Sequence, residues 1–521
     1  MQLTLADAAR ILGCPPPADA ARIEGYAIDS RTSRPGDLFF ALPGQRADGH
    51  DFVLAALGGG AAGAVVSRAA YPRFQEPFRR RLLAVEDPVA ALQSLARAVR
   101  RRWGKKIIGI TGSSGKTSTK EMIARILSCH YRVLKSEGNL NNHLGVPLSL
   151  LRLSPAHDIA VVEMGMNHAG EITRLAELAE PQVGVFTNVG PVHLGNFASV
   201  EAIAEAKREL ARALPPNGVM VLNADDALVA RFSEGFGGAV LRYGFEPDTA
   251  RNAPSPPDRG LALAVRQVRL LGWEGSEFTA QAPDHGVSGH SVRVRLPLMA
   301  RHNISNAAAA LATGLVFGIP LEAAALALAG MSAPPGRGRV LHRGGATIID
   351  DCYNSNPLAL EGMVNLLAGL PGARRILVAG EMLELGPAAV AWHRRIGELV
   401  AHRRIDILWA VAGAAREILA GAQDAGFAGE GAFFATAEEC GAQLAARLEP
   451  GDVVLAKASR GVHLERALAA VLGPADAAPE PLPGFSSAAL SPEPSSGPPS
   501  GPSSQPSSEP PPPTASLGTG C

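Results

Sequence analysis

The chain has 521 residues, 46% of them hydrophobic, enough for several cores when a domain usually takes ~100–200 residues. Lysine plus arginine and aspartate plus glutamate both number 49, giving a formal net charge of zero, so no broad basic surface for nucleic acid or an anionic membrane is expected. Five scattered cysteines without a C-x-x-C pair argue against a disulfide framework or a zinc site and fit a reducing compartment.

The N-terminus, MQLTLADAARILG, has the pattern of a short amphipathic helix and lacks a basic, then apolar, leader. No uninterrupted apolar run reaches the ~18 residues a membrane span needs. The expectation is a cytoplasmic monomer acting on small molecules, with no nucleic-acid partner and no membrane insertion.

Residues 1–83 read as a small α/β domain: the turn-rich stretch DSRTSRPGDLFFALPG is followed by GAAGAVVSR, a short buried strand. A second domain, 84–330, opens with the helical run Pro88–Trp103 and the strand KKIIGI, which stops at a Gly/Ser-rich loop. The apolar runs IAVVEMG, VGVFTNVG and GVMVLNADD then alternate with helical patterns, the rhythm of a doubly wound parallel sheet. Between about Arg242 and Met299 polar and apolar residues alternate, as in HSVRVRLPL, predicting antiparallel strands at the sheet edge. The helix HNISNAAAALATGLVFG closes this domain. A third, Rossmann-like domain, 331–473, carries the strands TIIDD, RILVAGE, DILWAVAG and DVVLAKASRG. Residues 474–521 are dominated by Pro, Ser and Gly, cannot bury enough apolar surface to offset their ordering entropy, and read as a disordered tail. The fold class is therefore α/β, in three domains and a tail.

The strongest local signal is GITGSSGKTS (109–118), placed between a predicted strand and the predicted helix STKEMIARIL, the context a phosphate-binding loop requires. Gly112 and Gly115 let backbone N–H groups face a phosphate, Lys116 supplies a charge to the β/γ oxygens, and Thr117 offers a hydroxyl to magnesium. ATP is the natural ligand. Ile110 stands where a strict Walker motif has its first glycine. Glu163 ends the strand IAVVE at the carboxyl edge of the sheet, where a carboxylate lies beside the loop in doubly wound folds; alone, it is equally well read as a solvated strand end. His193, after the strand in TNVGPVHL, is by itself as often a structural hydrogen-bonder as a ligand. Lys207, in EAIAEAKREL, reads as an ordinary exposed helix lysine. Arg337, Asp351, Lys457, Ser459 and Arg460 sit at strand ends or in Gly/Pro loops, where binding groups collect.

Taken in order, TGSSGKTSTKEM, EGNLNNHLGVPLSLL, VVEMGMNHAGEI, TNVGPVHLGNF, AKREL, RHNISNAAAA, PGRGR, DDCYNSNP and KASRG, after DSRTSRPGDLFFALPGQRADGHDF, resemble the Mur ligase family over roughly residues 24–470. The branch implied is the one that joins D-alanyl-D-alanine to UDP-N-acetylmuramoyl-tripeptide at the expense of ATP. The resemblance implies a UDP-sugar-binding N-terminal domain, a central ATPase domain and a C-terminal domain that closes the site. It implies that Gly112, Ser113, Ser114, Gly115, Lys116, Thr117 and Ser118 hold the nucleotide with Asn306 (adenine), Asp351 (ribose) and Arg337 (phosphate). Two Mg²⁺ sites follow, one on Thr117 and Glu163, the other on His193 and a carbamylated Lys207; Lys116, Lys207, His193 and Glu163 form the catalytic set. Asp29, Ser30 and Arg31 are assigned to the UDP pocket, Asn141 and Asn142 to the sugar-peptide, and Lys457, Ser459 and Arg460 to the peptide end or the incoming dipeptide. The diaminopimelate-adding relatives carry a D-N-P-R motif that is absent here, folylpolyglutamate synthetase lacks the N-terminal motifs, and a simple NTPase would not need two flanking substrate domains.

Overall fold

A computed structural model of the chain describes residues 3–19, 21–44, 47–246, 260–283 and 290–473; the tail expected to be disordered, 474–521, lies outside them. Three main sheets follow one another along the chain. The first is four-stranded and all parallel, in the order Gly25–Ala27, Asp37–Phe40, Gly63–Ser67 and Leu82–Val85. The stretch read as turn-rich thus contains a strand. Asp37, Leu38, Phe39 and Phe40 are all buried, so they show no alternation, as befits a parallel strand covered on both faces.

Local signals place the next helix. Asp87 caps Pro88–Trp103 by accepting from the Val89 N–H at 2.7 Å, proline occupies the first turn, and Gly104 ends the helix in the left-handed region, where glycine bears no Cβ penalty.

The central sheet has nine strands in the order His290–Leu296, Ser276–Ala282, Leu261–Leu270, Ala239–Phe245, Val219–Asn223, Val183–Phe186, Lys106–Thr111, Ile159–Glu163 and Val133–Lys135. Ala239–Phe245 pairs parallel with the neighbours on both sides, and only the Leu261–Leu270, Ser276–Ala282 and His290–Leu296 strands make antiparallel ladders. The antiparallel edge therefore begins one strand later than the residue alternation suggests, because alternation marks a half-exposed strand and not its direction. One face, through Ile107, Ala160 and Val162, packs with Leu92, Leu95 and Trp103 of the Pro88–Trp103 helix. The other, through Ile108, Ile110 and Val161, packs with Ala307, Ala308 and Leu311 of the Arg301–Val316 helix. Helices cover both faces, so the sheet is doubly wound.

The third sheet runs Arg339–Arg343, Ala346–Asp351, Asp452–Lys457, Arg374–Gly380, Ile407–Val411 and Glu430–Phe434, parallel apart from its first, antiparallel pair. Among the described residues no helix is long and apolar enough to cross a membrane.

Candidate active site

Lys106–Thr111 pairs parallel with Ile159–Glu163 on one side and Val183–Phe186 on the other, with Ile110 opposite Glu163 and Thr111 opposite Phe186. The loops after these three strands therefore leave the carboxyl edge side by side, where open α/β sheets bind ligands. The central one is the predicted phosphate loop. Its helix begins at Lys116, two residues earlier than the pattern suggests, with Gly115 at φ +81° and no side chain capping the first N–H groups. Such a helix start presents free N–H groups and a partial positive charge to an anion. A Cβ at Gly112 would stand 1.9 Å from Thr187 Oγ1, so the loop fits against its neighbour only as glycine.

That neighbour, 187–190, braces the loop. Thr187 Oγ1 donates to the Ser114 carbonyl at 2.6 Å, Asn188 Oδ1 accepts from the Ser114 N–H at 2.9 Å, and the Gly190 N–H donates to Ser113 Oγ at 2.9 Å. Asn306, 4% exposed, accepts from Thr119 Oγ1 at 3.3 Å, and its Oδ1 lies 2.3 Å from where a Gly115 Cβ would be. It is thus packed on the loop itself.

Glu163 is 2% exposed, yet it is fully engaged. Thr117 Oγ1 donates to one oxygen and Asn141 Nδ2 to the other, each at 2.8 Å, and Lys120 Nζ stands 3.9 Å away. Burial raises its pKa, but Lys120, Lys116 and Arg337 outweigh burial and hold the carboxyl below its ordinary range. Lys116 reaches back to the Gly112 carbonyl at 2.7 Å; burial lowers its pKa, with Glu163 opposing and Arg337 adding to the shift. Lys207 is not the exposed helix lysine its sequence suggests. It is 3% exposed, no carboxylate pairs with it among the described residues, and burial, with Lys116 nearby, pushes its pKa well down. His193 adopts φ +55° and brings Nδ1 to 2.5 Å from Glu384 Oε2, off the axis of a straight hydrogen bond.

A cleft of about 730 Å³ joins the phosphate loop, Glu163 and His193 to the third sheet; Lys207 does not line it. Ser113, Ser114, Gly115, Lys116, Thr117, Ser118, Asn141, Glu163, His193 and Asn306 line one side, and Arg337, Asp351, Lys457 and Arg460 the other. Lys457 donates to Asp351 Oδ2 at 2.7 Å and to the Asn354 carbonyl at 2.8 Å, while the Arg337 guanidinium stacks 3.9 Å from the Tyr353 ring centroid. Arg460 pairs with Glu465 at 3.2 Å.

Several expected contacts are not brought to this cleft. Asp29 and Arg31 pair with each other, the closest contact being 2.6 Å, and neither they nor Ser30 line it. Asn142 Oδ1 accepts from the Leu144 and Gly145 N–H groups at 3.1 and 2.9 Å, so its oxygen serves the turn into the Gly145–Leu151 helix. Ser459 Oγ accepts from the Leu383 N–H at 2.9 Å and donates to the Ser355 carbonyl at 3.2 Å, tying two loops together under the surface. The structure adds groups that the sequence did not single out: Lys120, Thr187, Asn188, Tyr353 and Glu384. Lys120 is fully buried; its one signal is its position a helical turn after Lys116.

Three family models match the chain: "Mur ligase family, catalytic domain" over 22–100, "Mur ligase middle domain" over 110–314, and "Mur ligase, glutamate ligase domain" over 336–460. The UDP-N-acetylmuramoyl-tripeptide–D-alanyl-D-alanine ligase of Bacillus subtilis is 34% identical, covering 85% of this chain and 92% of the relative. The chain belongs to the Mur ligase family. The Escherichia coli ligase of the same name is 37% identical over 74% of this chain and 80% of its own. Among solved Mur ligases, MurF of Acinetobacter baumannii superposes with a TM-score of 0.78 at 30% identity, covering 90% of this chain and 98% of that one. MurF of Thermotoga maritima, solved in complex with ADP, gives 0.71 at 29% identity over 85% and 96%. As a member of this family the protein is a ligase.

Proposed function

We propose that the protein joins D-alanyl-D-alanine to the terminal carboxylate of UDP-N-acetylmuramoyl-tripeptide, converting ATP to ADP and phosphate. The observation that carries this reading is one cleft in which the phosphate loop and Glu163 face Arg337, Asp351 and Lys457, in a chain that spans 92% of the Bacillus subtilis ligase. A carboxylate oxygen of the tripeptide attacks the γ-phosphorus and the bond to ADP breaks, giving an acyl phosphate. The dipeptide amine then attacks the acyl carbon, phosphate leaves and a proton is released. The chain's part is to position the reactants and neutralise their charge. Residues 112–118 cradle the phosphates, Lys116 turns from the Gly112 carbonyl to the β/γ oxygens, and Arg337 closes on them from the third sheet. Asn306 and Asp351 hold the nucleoside. Asn141, Lys457 and Arg460 face the peptide substrates, and Asp29, Ser30 and Arg31 serve the UDP end. The corresponding domains are 1–83, 84–330 and 331–473.

The donor set suits magnesium. Among the described residues no three His, Cys, Asp or Glu side chains cluster, so a cation here relies on few protein oxygens plus phosphates, the habit of Mg²⁺. The Thr117 hydroxyl and the ionised Glu163 would hold one ion. His193 and Lys207 would hold a second, provided Lys207 is an anion. A buried lysine with no counter-charge favours its neutral amine, the form that adds CO₂ and loses a proton to become a carbamate. Bound magnesium would neutralise phosphate charge and so ease approach of a carboxylate.

Phosphate release tests the reading. Wild-type protein should release phosphate only with ATP, UDP-N-acetylmuramoyl-tripeptide and D-alanyl-D-alanine together, and Lys116→Ala should abolish it. Release independent of both substrates would indicate a simple NTPase.

A further inference from the structure

The contact between His193 and Glu384 joins the rim of the central sheet to a loop of the third. It is held by backbone as well as side chains. The Gly195 N–H donates to the Glu384 carbonyl at 3.0 Å, and a Cβ at Gly386 would stand 2.8 Å from Gly195 Cα. His193 and Glu384 both take positive φ, +55° and +65°. Non-glycine residues in this region are strained by about 1–3 kcal/mol each and persist where the surroundings over-determine them, often at working sites. Two strained residues that meet side chain to side chain across two sheets point to a shared task.

We propose that Glu384 is a positioning residue for His193: its carboxylate takes the Nδ1 side of the imidazole, fixes the Nδ1–H tautomer, and leaves Nε2 to a divalent cation. This rests on the reading above that His193 serves a metal ion. Metal-binding histidines commonly give their second N–H to a carboxylate, which orients the ring and raises its basicity. Here that carboxylate comes from the third sheet, so docking of this loop on the central sheet completes the metal site. The Glu384 side chain is 54% exposed and stands with Oε2 2.5 Å from His193 Nδ1.

Two measurements on the full chain test this, using Glu384→Ala, Glu384→Gln and His193→Gln, each first shown by its melting curve to be folded. Mn²⁺ binding in the presence of ADP is followed by electron paramagnetic resonance, and the His193 tautomer by long-range ¹H–¹⁵N correlation, assigned by loss of the signal in His193→Gln. Glu384→Ala should weaken, by about tenfold or more, the same ion that His193→Gln loses, and should move His193 toward the Nε2–H tautomer. Glu384→Gln, whose amide oxygen still accepts a hydrogen bond, should lie between. A Glu384→Ala isotherm equal to wild type, or a loss of metal with the tautomer unchanged, overturns the positioning role while leaving His193 as a ligand. An unchanged isotherm in His193→Gln removes the metal reading itself.

Discussion

Replacing Glu163 by Gln keeps the shape of the side chain and removes one charge from the centre of the site. In the wild type this carboxylate is a counter-charge that Lys120, Lys116 and Arg337 share, with Glu121 a second one for Lys120 at 3.5 Å, and it is 2% exposed. Removing one partner of a buried pair costs about 3–5 kcal/mol because the other charge stays behind. Gln can still accept from Thr117, but its amide nitrogen cannot accept from Asn141. At the lower figure the transition of the central sheet should fall by roughly 6–12 °C, at about 2–4 °C per kcal/mol for a domain of this size. The pH dependence has a definite sign. The folded pKa of Glu163 lies below the ordinary 4.5, so its contribution is present in full above that value and is lost as pH falls through the folded pKa. Calorimetry on wild type and Glu163→Gln between pH 3 and 8 should show a constant gap at neutral pH that narrows in acid. With ADP, added Mg²⁺ should raise the melting temperature of the wild type more than that of Glu163→Gln, which keeps only the His193 and Lys207 site. A variant with wild-type melting and the same magnesium response would refute the assignment of Glu163 as both counter-charge and metal ligand.

Other consequences follow from neighbouring geometry. Gly115→Ala places a Cβ 2.3 Å from Asn306 Oδ1 at φ +81°; with about 1–2 kcal/mol for the left-handed backbone alone, nucleotide affinity should fall roughly 5–30-fold, as read by ATP titration. Turnover should drop in CO₂-depleted buffer and recover with bicarbonate, whereas Lys207→Arg should be inactive under both conditions; a bicarbonate-independent wild type would exclude the carbamate. Lys457→Met leaves Asp351 without the donor at 2.7 Å, and the KM for ATP should rise more than kcat falls if Asp351 holds the ribose.

Signals that lie close together in the chain were legible. The Pro88–Trp103 helix needs only Asp87, Pro88 and Gly104, and the phosphate loop declares itself through two glycines, a lysine and its strand–loop–helix setting. What escaped depends on tertiary packing. Lys207 and Lys120 look like solvated helix lysines until the sheet and neighbouring helices bury them. Glu384 stands in an unremarkable loop, and its partner His193 comes from a different sheet. Asn142 and Ser459 belong to the motifs that carry the resemblance; in the structure the Asn142 oxygen serves a turn and the Ser459 hydroxyl a loop tie. The Asp37–Phe40 strand was hidden because proline and glycine before it signal a turn, while its own residues are buried on both faces.

The central claim is most directly tested by the mass of the product. Each UDP-N-acetylmuramoyl-peptide should be incubated with ATP and each candidate amine, including single amino acids and D-alanyl-D-alanine. The account predicts one new species, UDP-N-acetylmuramoyl-tripeptide extended by the dipeptide, formed in step with ADP and phosphate. Extension of a shorter muramoyl peptide by a single amino acid, or ADP formed with no extended product, would contradict it.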